Sequence, residues 1–166
     1  MEQDFKSKVD QACRTAEDFT KHYYESVDRR RHLLSRYYLD TAVLVWNGNG
    51  TVGKEQIQKF FEDLPTSQHT LTSLDSQPVL GAVVANQLTF LMQVGGFVKF
   101  QERASRPFQQ NFMITAEGDK WKIVSDCFRL QEPVGEGISH SVSGNEHFST
   151  EIIVNILFFS TSYKYC

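Results

Sequence analysis

The chain has 166 residues, enough for one domain with a substantial core and too few for two ordinary ones. Hydrophobic residues make up 40% and aromatics 13%, with 13 Phe among them, so a globular chain is expected and disorder over most of its length is excluded. A net charge of -3 gives no global basis for binding nucleic acid or an anionic membrane, and Cys13, Cys127 and Cys166 lie too far apart for a CxxC metal or redox pair.

The N-terminus MEQDFKSKVDQ is polar where a signal peptide needs an apolar centre, which with the odd cysteine count points to the cytosol or nucleus. Phe5, Val9, Ala12, Ala16, Phe19 and Tyr23 recur at alternating gaps of four and three, the apolar face of a long first helix. A second short helix is predicted over 29–38, with Leu33, Leu34, Tyr37 and Tyr38 as its apolar side, and then a strand over 42–46. After a loop at 47–53, Ile57, Phe60, Phe61 and Leu64 define a third helix over 54–64 that Pro65 stops.

Beyond Pro65 the helical period disappears, and 68–80, 87–100, 108–117 and 120–131 read as strands. Leu88, Phe90, Met92 and Val94 alternate strictly, as do Phe108, Phe112, Ile114 and Ala116; Gly118-Asp119 makes a tight hairpin, and Gly95-Gly96 marks a bulge or bend. Helices first and strands afterward predict an α+β domain over 1–131, three N-terminal helices packed on one face of a strongly curved antiparallel sheet. Residues 132–149 are rich in Gly, Ser and Glu, and the apolar run 152–159 is too short to span a bilayer, so 132–166 is expected to be a poorly ordered tail.

Three constellations carry possible chemistry. Gly48-Asn49-Gly50-Thr51-Val52-Gly53 has the form GxGxxG, but no second βαβ unit follows, so an Asn-Gly-rich turn is the better reading and no dinucleotide cofactor is expected. Arg29, Arg30, Arg31, His32 and Arg36 form the one basic cluster, read as a solvated helix face in preference to a phosphate or acidic-peptide contact. Tyr23, Tyr24, Asp40, His69 and Asp126 are polar candidates for a pocket inside a helix-and-sheet cone. They lack diagnostic spacing, and the tyrosines read as core residues and the acids as surface or capping groups, so no catalytic residue, metal site or enzyme is predicted.

The segment WKIVSDCFRLQ at 121–131 is the most suggestive stretch. As a regular strand it places Trp121, Ile123, Cys127 and Arg129 on one side and Val124, Phe128 and Leu130 on the other. A strand apolar on both sides needs two covers, of which the fold can supply one and a partner the other. Arg129 cannot lose its charge and would then need water or a partner's carboxylate.

The strings VDQACR at 9–14, DRRRHLLSRYY at 28–38, LVWNGN at 44–49, QPV at 77–79, VKF at 98–100, QNF at 110–112 and WKIVSDCFR at 121–129 resemble the nuclear transport factor 2-like family, and within it the export branch. The resemblance covers nearly all of 4–131. It implies a cone-shaped α+β fold and a non-catalytic adaptor that pairs sheet to sheet with the similar domain of a large mRNA export receptor. Phenylalanine-glycine nucleoporins would be met indirectly, through that heterodimer shuttling between nucleus and cytoplasm. It also implies that Arg129 is the interface arginine, with Ile123, Cys127, Gln110 and Phe112 as further contacts and Trp46 and Phe60 as core or pocket wall. The rival implied by the same family is a homodimer carrying Ran in its GDP form, and a small-molecule isomerase or dehydratase on the same cone is the third reading. Residues from Pro133 onward match nothing in the family pattern.

Overall fold

A computed structural model describes residues 2–79, 81, 85 and 87–131. The expectations for residues 132–166 lie outside these. The described chain runs α1 (Glu2–Arg29), a 3-10 helix (Arg31–Tyr37), β1 (Tyr38–Trp46), β2 (Asn49–Val52), α2 (Lys54–Asp63), β3 (Ser67–Pro78), β4 (Thr89–Phe100), β5 (Arg106–Glu117) and β6 (Lys120–Leu130). The six strands form one sheet in the order β2-β1-β6-β5-β4-β3.

In α1 the apolar stripe is buried from Ala12 onward, while Phe5 is exposed and Val9 half-buried, so the first turns of the helix project past the core. The second helix is 3-10 rather than α. Leu34 and Tyr37 are three residues apart and share a face at three residues per turn, which suits the tight passage from α1 into β1. α2 ends where expected. Pro65 forces Leu64 into an extended conformation, φ -69° and ψ 147°, and so out of the helix.

Two strand expectations are corrected. The predicted loop at 47–53 contains the edge strand β2, which folds back antiparallel on β1. The sheet is also mixed rather than antiparallel throughout: α2 carries the chain to the far edge, β3 to β6 meander back, and β6 arrives beside β1 pointing the same way. The expected irregularity at Gly95-Gly96 is present, but the extra residue is Thr72 on the facing strand β3. A Cβ on Gly96 would run into the Thr70 carbonyl oxygen and lie 3.1 Å from Leu71 and from the Phe108 ring, so only glycine lets β3 approach this closely.

The core lies between the inner face of the sheet and the helices, with Phe19 and Tyr23 of α1 against Phe112 of β5 and Trp46 stacked on Phe128 at 3.7 Å. Arg31 binds the layers together. Its guanidinium donates to the carbonyls of Val27, Phe61, Leu64 and Pro65 and to Ser67 Oγ, closing the ends of α1 and α2 against the start of β3. The basic cluster is therefore dispersed: Arg31 is structural, Arg30 pairs with Glu25, and Arg36 stands exposed at the end of the 3-10 helix.

Candidate functional site

The decisive local feature is a β-bulge in β6. Met113 faces Ser125 and the next residue of β5, Ile114, faces Ile123, so Val124 is an extra residue without an opposite number. The bulge reverses the alternation. Trp121 and Ile123 point to the inner face together with Asp126, Phe128 and Leu130, and Trp121 stacks on Phe90 at 4.7 Å. After the bulge Ser125, Cys127 and Arg129 point outward, and before it Lys120 and Lys122 take the side opposite Trp121 and Ile123.

The expected contact set is corrected accordingly. Ile123 is fully buried in the domain's own core, and so are Gln110 and Phe112, because on β5 they share the inner side with Phe108 and Ile114. Their outward neighbours are Gln109, Asn111 and Met113. Arg129 and Cys127 are exposed, as a contact role requires.

Among the described residues, the outer face of the sheet carries no helix. Strand register places its residues in rows: Val43, Ser125, Met113, Leu91 and Gln77 across one, Val45, Cys127, Asn111, Gln93 and Asp75 across the next, and Arg129, Gln109, Gly95 and Ser73 across a third. Val43, Leu91 and Phe97 are exposed large apolar residues on this surface. It therefore has a polar centre between two apolar flanks. Arg129 stands in that centre near Gly48, and among the described residues no hydrogen bond or ion pair holds it.

Behind this face lies a buried polar network. Asp126, on the inner side of β6, accepts hydrogen bonds from Tyr38 at 2.7 Å and Tyr23 at 3.1 Å on one oxygen, and from Gln110 at 2.8 Å on the other. Tyr24 donates to the Gln110 carbonyl at 2.6 Å. Burial pushes the Asp126 carboxyl up to about 6, against the pull of these donors. The three tyrosines are held well above the usual phenol range by burial and by the charge of Asp126. The reading of Asp126 as a surface or capping acid is thus replaced by a buried hub, while Tyr23 and Tyr24 are core residues with satisfied hydroxyls.

The other pocket candidates are elsewhere. Asp40 is exposed and pairs with Lys54 at 2.6 Å. His69 bonds Asp28 at 2.7 Å through its ring and at 2.8 Å through its backbone N–H, in a hub that also takes Ser67. Burial raises the Asp28 carboxyl, but the hydrogen bonds and charge of His69 outweigh it and hold the group below its ordinary range. The GxGxxG segment forms the β1–β2 turn and the antiparallel β2, with Gly53 at φ +90° before α2. A phosphate loop needs a parallel strand after its helix, and α2 leads instead to an antiparallel strand at the far edge. Among the described residues no group of three or more His, Cys, Asp or Glu is placed to hold a metal ion, and no helix is long and apolar enough to cross a membrane.

A long helix and a curled mixed sheet, closed inside by aromatic packing and, among the described residues, uncovered on the outer sheet face, define the cone-shaped α+β class. The family profile described as the Nuclear transport factor 2 (NTF2) domain matches residues 15–130, and the chain belongs to that family. It is 48% identical over 133 residues to NTF2-related export protein 1 of Bos taurus, covering 78% of this chain and 95% of the relative. It is 47% identical over 133 residues to NTF2-related export protein 2 of Homo sapiens, covering 78% and 94%. Among solved structures, nuclear transport factor 2 from Cryptosporidium parvum superposes with a TM-score of 0.65 at 26% identity, covering 75% of this chain and 95% of that one.

Proposed function

We propose that this chain is a non-catalytic nuclear export adaptor that pairs, through the outer face of its sheet, with the similar domain of a large mRNA export receptor. The pair supports passage of messenger ribonucleoprotein through the nuclear pore, meeting phenylalanine-glycine nucleoporins through the heterodimer and shuttling between nucleus and cytoplasm. The observation that carries the reading is a sheet face that, among the described residues, carries no helix, has apolar flanks and holds at its centre an Arg129 with no hydrogen bond or ion pair. Relatives named as export proteins at nearly half identity support it. The filled cone supports the non-catalytic part, since both oxygens of Asp126 are occupied by the domain's own donors.

Covering this face strips water from Arg129, and a receptor carboxylate engaged through two parallel N–H to O bonds offsets that cost. Arg129→Ala is expected to weaken the heterodimer by about 2 to 5 kcal/mol, much of it the cost of the receptor acid left unpaired. Calorimetry against the receptor domain measures the loss, with circular dichroism confirming the fold. Binding as tight as that of the parent chain would remove Arg129 from the interface, and a stable self-pair that recruits Ran-GDP in place of the receptor would reject the adaptor reading.

A further inference from the structure

On the helix side of the domain, away from the outer sheet face, a groove of about 580 Å³ opens between α1, the end of the 3-10 helix and the start of β6. Its floor is aromatic: Phe19, Tyr37 and Trp121. Each ring is already fixed. Trp121 stacks on Phe90, Phe19 meets Tyr37 edge to face at 5.9 Å, and the Tyr37 hydroxyl is anchored to the His22 carbonyl at 3.2 Å and to Ser26 Oγ at 3.0 Å.

The rim is strongly cationic. Arg14, Arg36, Lys120 and Lys122 stand around the groove with Asp18 as the one acid, in a chain whose overall charge is -3. Lys122 is tied to the Arg36 carbonyl, which holds the two basic elements together. Arg14 and Lys120 are exposed. Packing four like charges around an aromatic floor repels them from one another, and an anion seated among them relieves that repulsion.

We propose that this groove binds a small aromatic anion, a molecule with one flat ring system for the floor and one phosphate, sulfonate or carboxylate for the rim. The volume falls in the range of single small-ligand sites, and the floor is preorganised, which limits the ordering cost of binding. A peptide is a poorer fit. The groove-lining residues Lys120 to Lys122 are paired with β5 on one side, and on the other, ahead of the first β1 partner at Ile123, Lys122 Nζ binds the Arg36 carbonyl at the end of the 3-10 helix, which leaves a peptide backbone little of that edge to join. The groove does not share the outer face, so occupation is compatible with sheet-to-sheet pairing and its test does not depend on that reading.

The chain has two tryptophans, and Trp46 is buried in the core, so fluorescence quenching reports Trp121 in the groove. The probe is 1-naphthyl phosphate, with 1-naphthol as the ring alone and inorganic phosphate as the charge alone. Saturable quenching by 1-naphthyl phosphate is expected, with a dissociation constant on the order of 100 µM. It should weaken at least tenfold for Arg14→Glu and for Lys120→Glu, weaken on raising salt, and vanish for Trp121→Phe, while circular dichroism stays unchanged. Absence of saturation up to about 5 mM, equal affinity in the charge-reversed variants, or equal binding by 1-naphthol or inorganic phosphate would overturn the proposal. So would an acidic hexapeptide with a central Phe that binds ten times more tightly than 1-naphthyl phosphate.

Discussion

The buried carboxyl of Asp126 makes stability depend on pH in an unusual direction. Its value rises from the ordinary 3.8 to about 6 in the folded state, so between these values the folded chain holds a proton that the unfolded chain has released. Stability therefore increases as pH falls through about 6 and levels off near 3.8. A shift of this size corresponds to about 3 kcal/mol in full, of which about 2 kcal/mol appears between pH 7 and pH 4.5. That is a sizeable share of the 5 to 15 kcal/mol that holds a typical domain together. Asp28 acts in the opposite sense and at lower pH: its depressed value contributes stability above the ordinary carboxylate range, lost only as pH falls through that depressed value. The assay is urea unfolding followed by circular dichroism in steps from pH 7.5 to 4.5, on the parent chain and on Asp126→Asn. The variant keeps the Gln110 bond to its carbonyl and can turn its amide toward the hydroxyls of Tyr23 and Tyr38, but it cannot titrate. Histidines and other acids contribute equally to both chains, so the difference between the two profiles isolates Asp126. A pH profile for Asp126→Asn that parallels the parent's would refute the reasoning.

Arg31→Ala is expected to cost about 2 to 4 kcal/mol in urea unfolding, because it leaves several carbonyls at the ends of α1 and α2 without a donor, and Arg31→Lys should recover little since one ammonium cannot span them. Gly96→Ala should destabilise by about 2 kcal/mol or more, whereas Gly50→Ala, where a Cβ meets nothing within 4 Å, should be close to neutral; a matched pair of melting curves decides it. Deleting Val124 joins the inward Ile123 directly to the outward Ser125, so a regular strand keeps the other β6 side chains on their present faces. The chain should still fold, losing about 1 to 3 kcal/mol with the bend, while Val124→Ala should cost only about 1 kcal/mol by the same measurement.

α1, α2, β4 and β5 were legible because each carries a clean period: α1 and α2 bury one stripe, and β4 and β5 alternate. The β5 contacts could have been placed correctly from the same alternation. Gln110 and Phe112 are an even number of residues from Phe108 and Ile114, so they had to face the core with them. β6 was different. A bulge adds one residue without a sequence marker as plain as glycine, and Val124 resembles any other strand valine, so the predicted side of Trp121 and Ile123 was wrong although the strand itself was right. Strand β2 was hidden for another reason: its Asn-Gly-Thr-Val carries turn residues, and only pairing with β1 makes it a strand. The parallel contact of β1 with β6 is a long-range closure that local pattern does not encode.

The bulge also explains how one strand serves three surfaces. Before Val124, β6 sends Trp121 to the groove floor and Ile123 to the core, and the lysines beside them reach the rim. After it, Asp126 enters the tyrosine network and Phe128 stacks on Trp46, while Cys127 and Arg129 turn to the open face. A regular strand could not do this: with strict alternation, Trp121 and Ile123 would join Cys127 and Arg129 on the outside, and the charged Lys122 would share the inner face with Phe128. The extra residue thus lets an apolar, groove-lining start and an arginine-bearing end coexist in one central strand. Both depend on a single register, so a partner that grips Arg129 also holds the strand that carries Trp121.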